Sequence, residues 1–158
     1  VNTFRKFYTE YKERLFGYLL RKTGSYSLAA DIMQESFTRY LERYKDREQS
    51  PALLFTISRN LLYDHARKKR FDTLYEEEQH GVDSDLENGY HIKEEYQRVL
   101  RAMQQLDDEE QDILALVVSS GLSYREIADM TGNSEANIKV KIHRSRLKLK
   151  KILRQNKL

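Results

Sequence analysis

The chain has 158 residues, enough for one ordinary domain or two very small ones. Six glycines and one proline, set against 39% hydrophobic and 34% charged residues, favour helix over any turn-rich fold, and the absence of cysteine excludes disulfides, thiolate zinc sites and cysteine nucleophiles. The net charge of +3 is modest, no apolar run approaches the ~18 residues of a membrane helix, and the N-terminus lacks the apolar core of a signal peptide. His65, His80, His91 and His143 show no metal-ligand spacing. The expectation is a cytoplasmic protein with no cofactor, no metal and no direct membrane insertion.

In chain order, Phe4, Phe7, Tyr8, Tyr11, Leu15, Tyr18 and Leu19 recur at helical spacing and predict a first helix ending near Gly24. The pattern resumes with Ala29, Ile32, Met33, Phe37, Tyr40, Leu41 and Tyr44, then fades in Lys45 to Gln49. Ser50-Pro51 reads as an N-cap followed by proline at the first helical position. A third helix carrying Leu53, Leu54, Ile57, Leu61 and Leu62 then runs to about Arg70, ending in the basic cluster Arg67-Lys68-Lys69-Arg70.

Nine acids and a single base, Lys93, lie between Asp72 and Glu95. With few apolar residues and two glycines, the segment from Asp72 to Gly89 reads as a linker. Periodicity returns at Ile92, Tyr96, Val99, Leu100, Met103 and Leu106, and Asp107-Asp108-Glu109-Glu110 announces a further helix through Ile113, Leu114, Leu116 and Val117. Ser123-Tyr124-Arg125-Glu126 is a capping box opening a short helix that stops at Thr131-Gly132-Asn133. Ser134 caps a longer helix with Ile138, Ile142, Ser145, Leu149 and Ile152 or Leu153 inward and Lys139, Lys141, His143, Arg144 and Arg146 around the rest. From Lys139 onward there are nine bases and no acid. Two helices joined by a tight glycine turn, the second basic outside, form a helix-turn-helix pattern in which the first helix braces the second for the major groove. An ordinary helical hairpin with a solvated face is the plain alternative. Two basic ends around an acidic middle favour two polyanion-facing surfaces instead.

These residues resemble bacterial sigma factors of the extracytoplasmic-function (ECF) group along nearly the whole chain. Asp31-Ile32-Met33-Gln34-Glu35-Ser36-Phe37 matches the family's Asp-x-x-Gln-Glu-x-Phe signature, and Ile57-Ser58-Arg59-Asn60-Leu61 with Asp64 and the basic cluster matches the helix after it. Gly121 to Ala128 and Ile138 to Arg146 match the promoter-reading helix-turn-helix. The resemblance implies an all-α fold of two small helical domains: a region-two domain over 1–71, an acidic flexible linker over 72–90, and a region-four helix-turn-helix domain over 91–158. It implies a non-enzymatic subunit that binds core RNA polymerase, through the clamp helices of the largest subunit and the flap, and directs promoter-specific initiation.

Residue by residue, the resemblance assigns Asp31, Gln34, Glu35 and Phe37 to the polymerase contact, although helical periodicity alone puts Phe37 in the core. It gives the melted minus-ten element to the third helix and the loop before it, about Asp46 to Ala52, with Asn60 as the base contact and Arg59, Asp64, Arg67, Lys68 and Lys69 around it. Capture of an extruded base needs a pocket with cationic support. The minus-thirty-five element falls to Ser134, Lys139, Val140, Lys141, His143, Arg144 and Arg146. The chain departs from the family in lacking tryptophan: Leu53 and Phe55 stand where Trp and Tyr are common, leaving Phe55 or Tyr63 as the aromatic for strand separation. Val140 replaces a common Ser and offers methyls to a thymine methyl. An anti-sigma partner is also implied.

Promoter elements one and a half to two turns apart lie roughly 50–70 Å from each other. Residues 72 to 90 reach about 63–68 Å at full extension, so the linker must be nearly extended, and its acidity suits a basic polymerase channel. With such a linker, the free protein is expected to sample several interdomain arrangements. The rival reading is a conventional helix-turn-helix regulator with an N-terminal sensor or dimerisation bundle; the Asp31-to-Phe37 signature and Asn60 in a basic helix argue against it. No Gly-rich phosphate loop or His-carboxylate pair supports an enzyme.

Overall fold

The computed structural model describes residues 2–72 and 93–156, which form seven α-helices and no strand. They are α1 (Asn2–Thr23), α2 (Tyr26–Tyr44), α3 (Pro51–Asp72), α4 (Glu94–Met103), α5 (Asp108–Ser119), α6 (Tyr124–Thr131) and α7 (Glu135–Gln155). The expected acidic linker lies, but for Asp72, outside the described residues.

Local chemistry sets the helix ends. Gly24 stops α1 with φ +67°, its N–H donating to the Leu20 carbonyl at 2.8 Å. Ser25 caps α2 through the Leu28 N–H, and Ser50 caps α3 through the Leu53 N–H, both at 3.2 Å. Asp107 with Glu110, and Ser123 with Glu126, make the reciprocal capping boxes that open α5 and α6. The caps at Ser50, Asp107, Ser123 and Ser134 thus stand where the sequence puts them.

The helices α1 to α3 pack around Phe7, Leu15, Leu19, Phe37, Tyr40 and Leu54. Aromatic contacts dominate one end, with Phe7 stacked on Tyr40 at 5.0 Å and edge-on to Phe37 at 6.4 Å. Between α2 and α3 the buried Ser58 hydroxyl donates to Ser36, which itself donates to the Ile32 carbonyl. No buried side-chain polar atom among the described residues lacks a partner. In the second half, Ile113 and Leu116 of α5, Ile127 of α6 and Ile138 and Ile142 of α7 form the centre.

The two groups of helices are not separate in space. Helix α1 packs against α5 about as extensively as against α2, α3 touches α6, and one apolar core runs through both groups. The sequence suggests several interdomain arrangements; the structure displays one closed arrangement, in which α5 is buried on nearly its whole circumference and α1 covers one side of it. Its residues Gln111 through Leu116 are all buried.

Gly132 joins α6 to α7 with φ +72°, and a Cβ there would meet nothing within 4 Å. Substitution therefore brings backbone strain without a clash. Gly132→Ala should lower stability by about 1–2 kcal/mol, measured as a shift in the urea unfolding midpoint, and Gly132→Asn by less.

Candidate nucleic-acid interface

The C-terminal surface is built outward from a fixed turn. After Gly132, the Asn133 N–H bonds the Ala128 carbonyl at 2.9 Å, and the Asn133 amide donates to Thr131 Oγ1 at 3.0 Å. Asn133 Oδ1 in turn accepts from Asn137 Nδ2 at 2.9 Å and from Lys141 Nζ at 3.0 Å. Ser134 accepts from the Asn137 N–H at 3.0 Å. One asparagine thus ties the end of α6, the turn and the first two turns of α7 together. Its role is not evident from the motif, where it reads only as part of the stop.

Helix α7 turns Ile138, Ile142 and Ser145 inward, with Leu149 and Ile152 partly covered. Ser134, Lys139, His143, Arg144 and Arg146 are exposed, and Val140 is 44% exposed. Glu135 is the only acid on the helix. Lys141 differs from its neighbours: its ammonium is ion-paired with Glu109 of α5.

On α3, Asn60, Arg67, Lys68 and Lys69 are exposed, and Asp64 pairs with Arg67 one turn away. The preceding loop is anchored at both sides: the Ser50 N–H donates to the Tyr40 hydroxyl at 2.9 Å, and Gln49 Nε2 donates to the Thr3 carbonyl at 2.8 Å. Two expectations for α3 need correction. Phe55 is fully buried, edge-on to Tyr18 at 5.8 Å, and offers no ring to a base. Tyr63, 41% exposed, is the aromatic that faces out. Arg59 does not point with the exposed bases but into the contact between the two groups of helices.

On α2, Asp31, Gln34 and Glu35 are exposed and side by side, with Glu35 bonded to Arg39 at 2.9 Å. Phe37 is 4% exposed and packs on Phe4, Phe7 and Tyr8. Its assignment to a polymerase-facing surface is corrected: burial of its ring in the α1–α2 seam removes it from the surface.

The sequence gives little warning of the contact that holds Arg59. Asp112, in the middle of α5 and 1% exposed, accepts from the Tyr18 hydroxyl at 2.6 Å and from Arg59 Nε at 2.6 Å. Arg59 Nη1 also reaches the Met130 carbonyl at 3.2 Å, Nη2 donates to the Tyr63 hydroxyl at 2.9 Å, and the guanidinium lies 5.2 Å from the Tyr63 ring centroid. Burial works against the Arg59 charge, but the adjacent Asp112 carboxylate outweighs it and raises the pKa. Burial, reinforced by the same carboxylate, pushes the Tyr18 phenol well above its ordinary value. Around this centre Lys22 binds Asp108, Gln111 Nε2 donates to the Arg21 and Lys22 carbonyls at 2.9 and 3.1 Å, and Arg21 reaches Ser119. An acid directly before the apolar run Ile113 to Val118, one turn beyond the acids that open the helix, is the one sequence signal of a buried partner. Among the described residues no cluster of His, Asp or Glu could hold a metal, and no helix is long and apolar enough to cross a membrane.

Known proteins resemble this chain in sequence and in fold. The sigma-70 region 2 model matches residues 7–71 and the sigma-70 region 4 model matches residues 96–149. The chain is 28% identical over 142 residues to the ECF RNA polymerase sigma factor EcfG of Rhodopseudomonas palustris, covering 88% of this chain and 78% of that protein. It is 28% identical over 153 residues to SigM of Bacillus subtilis, covering 94% and 93%. In fold it is similar to the sigma factor RpoE of Bartonella quintana, solved with the anti-sigma factor NepR, at TM-score 0.77 and 22% identity over 98% of each chain. CnrH, solved with the cytosolic domain of CnrY, follows at TM-score 0.71 and 21% identity, over 98% of this chain and 89% of that one. With both regions present in order, the chain belongs to the sigma-70 family in its ECF group. It directs RNA polymerase to initiate at specific promoters.

The raised Tyr18 pKa has a definite sign. The folded protein holds this proton more tightly than the unfolded chain does. Its stabilisation is therefore complete below the unfolded tyrosine value of about 10 and is lost as pH rises through the folded value. Tyr18→Phe should cost about 1.5–3 kcal/mol at pH 8 by deleting a hydrogen bond to a buried carboxylate. It should also flatten the fall in urea midpoint above pH 10, leaving the weaker slope from Tyr11, Tyr63 and Tyr96, whose values are also raised.

Proposed function

We propose a division of labour in which a domain over 1–71 binds core polymerase and the minus-ten element, a domain over 91–158 binds the flap and the minus-thirty-five element, and the acidic segment over 72–90 connects them. On α2, Asp31, Gln34 and Glu35 form the carboxylate-amide surface for the clamp helices. On α3, Asn60 receives the extruded base, Arg67, Lys68 and Lys69 hold the strand, and Tyr63 is the aromatic nearest to hand. On α7, Lys139, His143, Arg144 and Arg146 meet phosphates and base edges, Val140 meets a thymine methyl, and Ser134 sits at the helix N-terminus beside the backbone. Phe37 supports the α2 surface from beneath.

The observation that carries this reading is the two-faced character of α7: Ile138, Ile142 and Ser145 are buried while Lys139, His143, Arg144 and Arg146 are exposed. A helix stabilised only by its surroundings needs no such one-sided charge. The protein acts in the cytoplasm as a binding subunit without catalysis of its own. Because RpoE was solved with the anti-sigma factor NepR and CnrH with the cytosolic domain of CnrY, an anti-sigma factor is the expected regulator.

In vitro transcription with bacterial core polymerase on a pool of random promoters tests the assignment. Wild-type protein should yield specific transcripts. Asn60→Ala and Arg144→Ala should each reduce them by about tenfold or more, the effect of about 1–3 kcal/mol per base or charged contact. Transcripts that persist unchanged in both variants would remove these residues from promoter recognition.

A further inference from the structure

Two residues assigned to promoter contact are engaged inside the protein, and one of them bridges the two domains. Arg59 is held by Asp112 and by the Met130 carbonyl of the helix-turn-helix. Helix α3 and helix α6 are thereby in direct contact, with 3.2 Å between Arg59 Nη1 and Met130 O. The two promoter elements, by contrast, lie roughly 50–70 Å apart. A body in which the minus-ten helix touches the helix-turn-helix cannot place its two reading surfaces on both elements at once.

We propose that Asp112 is an intramolecular latch: its buried carboxylate holds Tyr18 and Arg59 and keeps the protein closed, with Arg59 withheld from DNA, until core polymerase and promoter draw the domains apart. This rests on the promoter-reading assignment above for its consequence, though the closed arrangement itself does not. A buried carboxylate with two partners, both from the opposite domain, is costly to leave unpaired. Once Tyr18 and Arg59 withdraw, Asp112 must be rehydrated, so opening is all-or-none at this point. The surrounding contacts act in the same direction. Lys22 binds Asp108 at 2.6 Å, and Gln111 satisfies two carbonyls at the end of α1. Only ligands that bind the open form better can shift the balance, and core polymerase with a bipartite promoter is such a ligand.

The absence of cysteine makes the closed state directly testable. A Cβ built on Gly17 lies 3.8 Å from Ser119 Cβ, across the α1–α5 contact, and its nearest obstacle is the flexible end of Arg21. About 3.8 Å is the usual Cβ separation in a disulfide. The full-length Gly17→Cys/Ser119→Cys protein should therefore form a disulfide readily under mild oxidation. Adding Asp112→Asn, which keeps the shape of the side chain but removes its charge, should slow that reaction by about tenfold as the closed population falls.

Transcription with core polymerase reads the consequence. The oxidised double-cysteine protein should lose promoter-dependent initiation and regain it on reduction, while both single-cysteine proteins remain active under either condition. Asp112→Asn in the native sequence should reach half-maximal transcription at about a tenfold lower protein concentration. Asp112→Asn cross-linking as fast as its parent, or an oxidised protein that initiates as well as its reduced form, overturns the latch. Asp112→Asn that melts without a cooperative transition would be replaced by Arg59→Lys, which should also speed opening. If wild type stimulates no transcript while cross-linking still depends on Asp112, the promoter assignment fails and the latch stands.

Discussion

A single carboxylate, Asp112, decides how the two halves of this protein meet. Placed mid-helix among Ile113, Leu114 and Leu116, it is desolvated by the same packing that buries its neighbours. A lone buried anion is prohibitively unfavourable, so the helix can be buried against α1 only where donors are waiting. Tyr18 supplies a neutral donor and Arg59 a charged one, each at 2.6 Å. The apolar contact supplies the gross attraction between α1 and α5, and the carboxylate fixes its register. Sliding α5 by one turn would bury the anion against hydrocarbon.

The helix-turn-helix is rigid for a different reason. Its order is local and made of hydrogen bonds: one reciprocal cap at Ser123, the one-way cap at Ser134, one left-handed glycine and the amide of Asn133, which bonds α6 on one side and α7 on the other. Such bonds survive rotation of the whole domain. The contact with α1 and α3 can therefore be broken without loosening the helix-turn-helix, because none of the atoms fixing the turn belongs to α1, α2 or α3.

Much of this was legible in the sequence, and the reasons are physical. Caps depend on a few consecutive residues, so Ser50, Asp107, Ser123 and Ser134 announced their helices. The inward stripe of α7 follows from period alone, and the structure selects Ile152 over Leu153 as the residue packed on the core. What eluded sequence reasoning depends on contacts between segments far apart in the chain. Arg59 and Asp112 are 53 residues apart, Tyr18 and Asp112 are 94, and nothing local distinguishes a phosphate-binding arginine from one that binds a carboxylate. Phe37 shows the converse. A family signature contains both surface and supporting positions, and its helical period correctly separated the buried ring from exposed Asp31, Gln34 and Glu35.

The acids of α5 act both within their helix and across to others. Asp107, Asp108, Glu109 and Glu110 first serve their own helix, by capping it and complementing its positive end. The same side chains then meet bases from elsewhere: Asp108 takes Lys22, Glu109 takes Lys141 and Glu110 takes Lys148, while Asp112 takes Arg59 one turn on. Three of these four pairs have at least one exposed partner, where water and salt screen the attraction, so each contributes little alone. Only the Asp112 pair is shielded enough to be strong, and it alone of the four joins α3 to α5. The acidic start of α5 therefore holds bases from α1, α3 and α7 as carboxylate partners, most of them weakly. Its affinity is concentrated at the one site whose release also separates the domains.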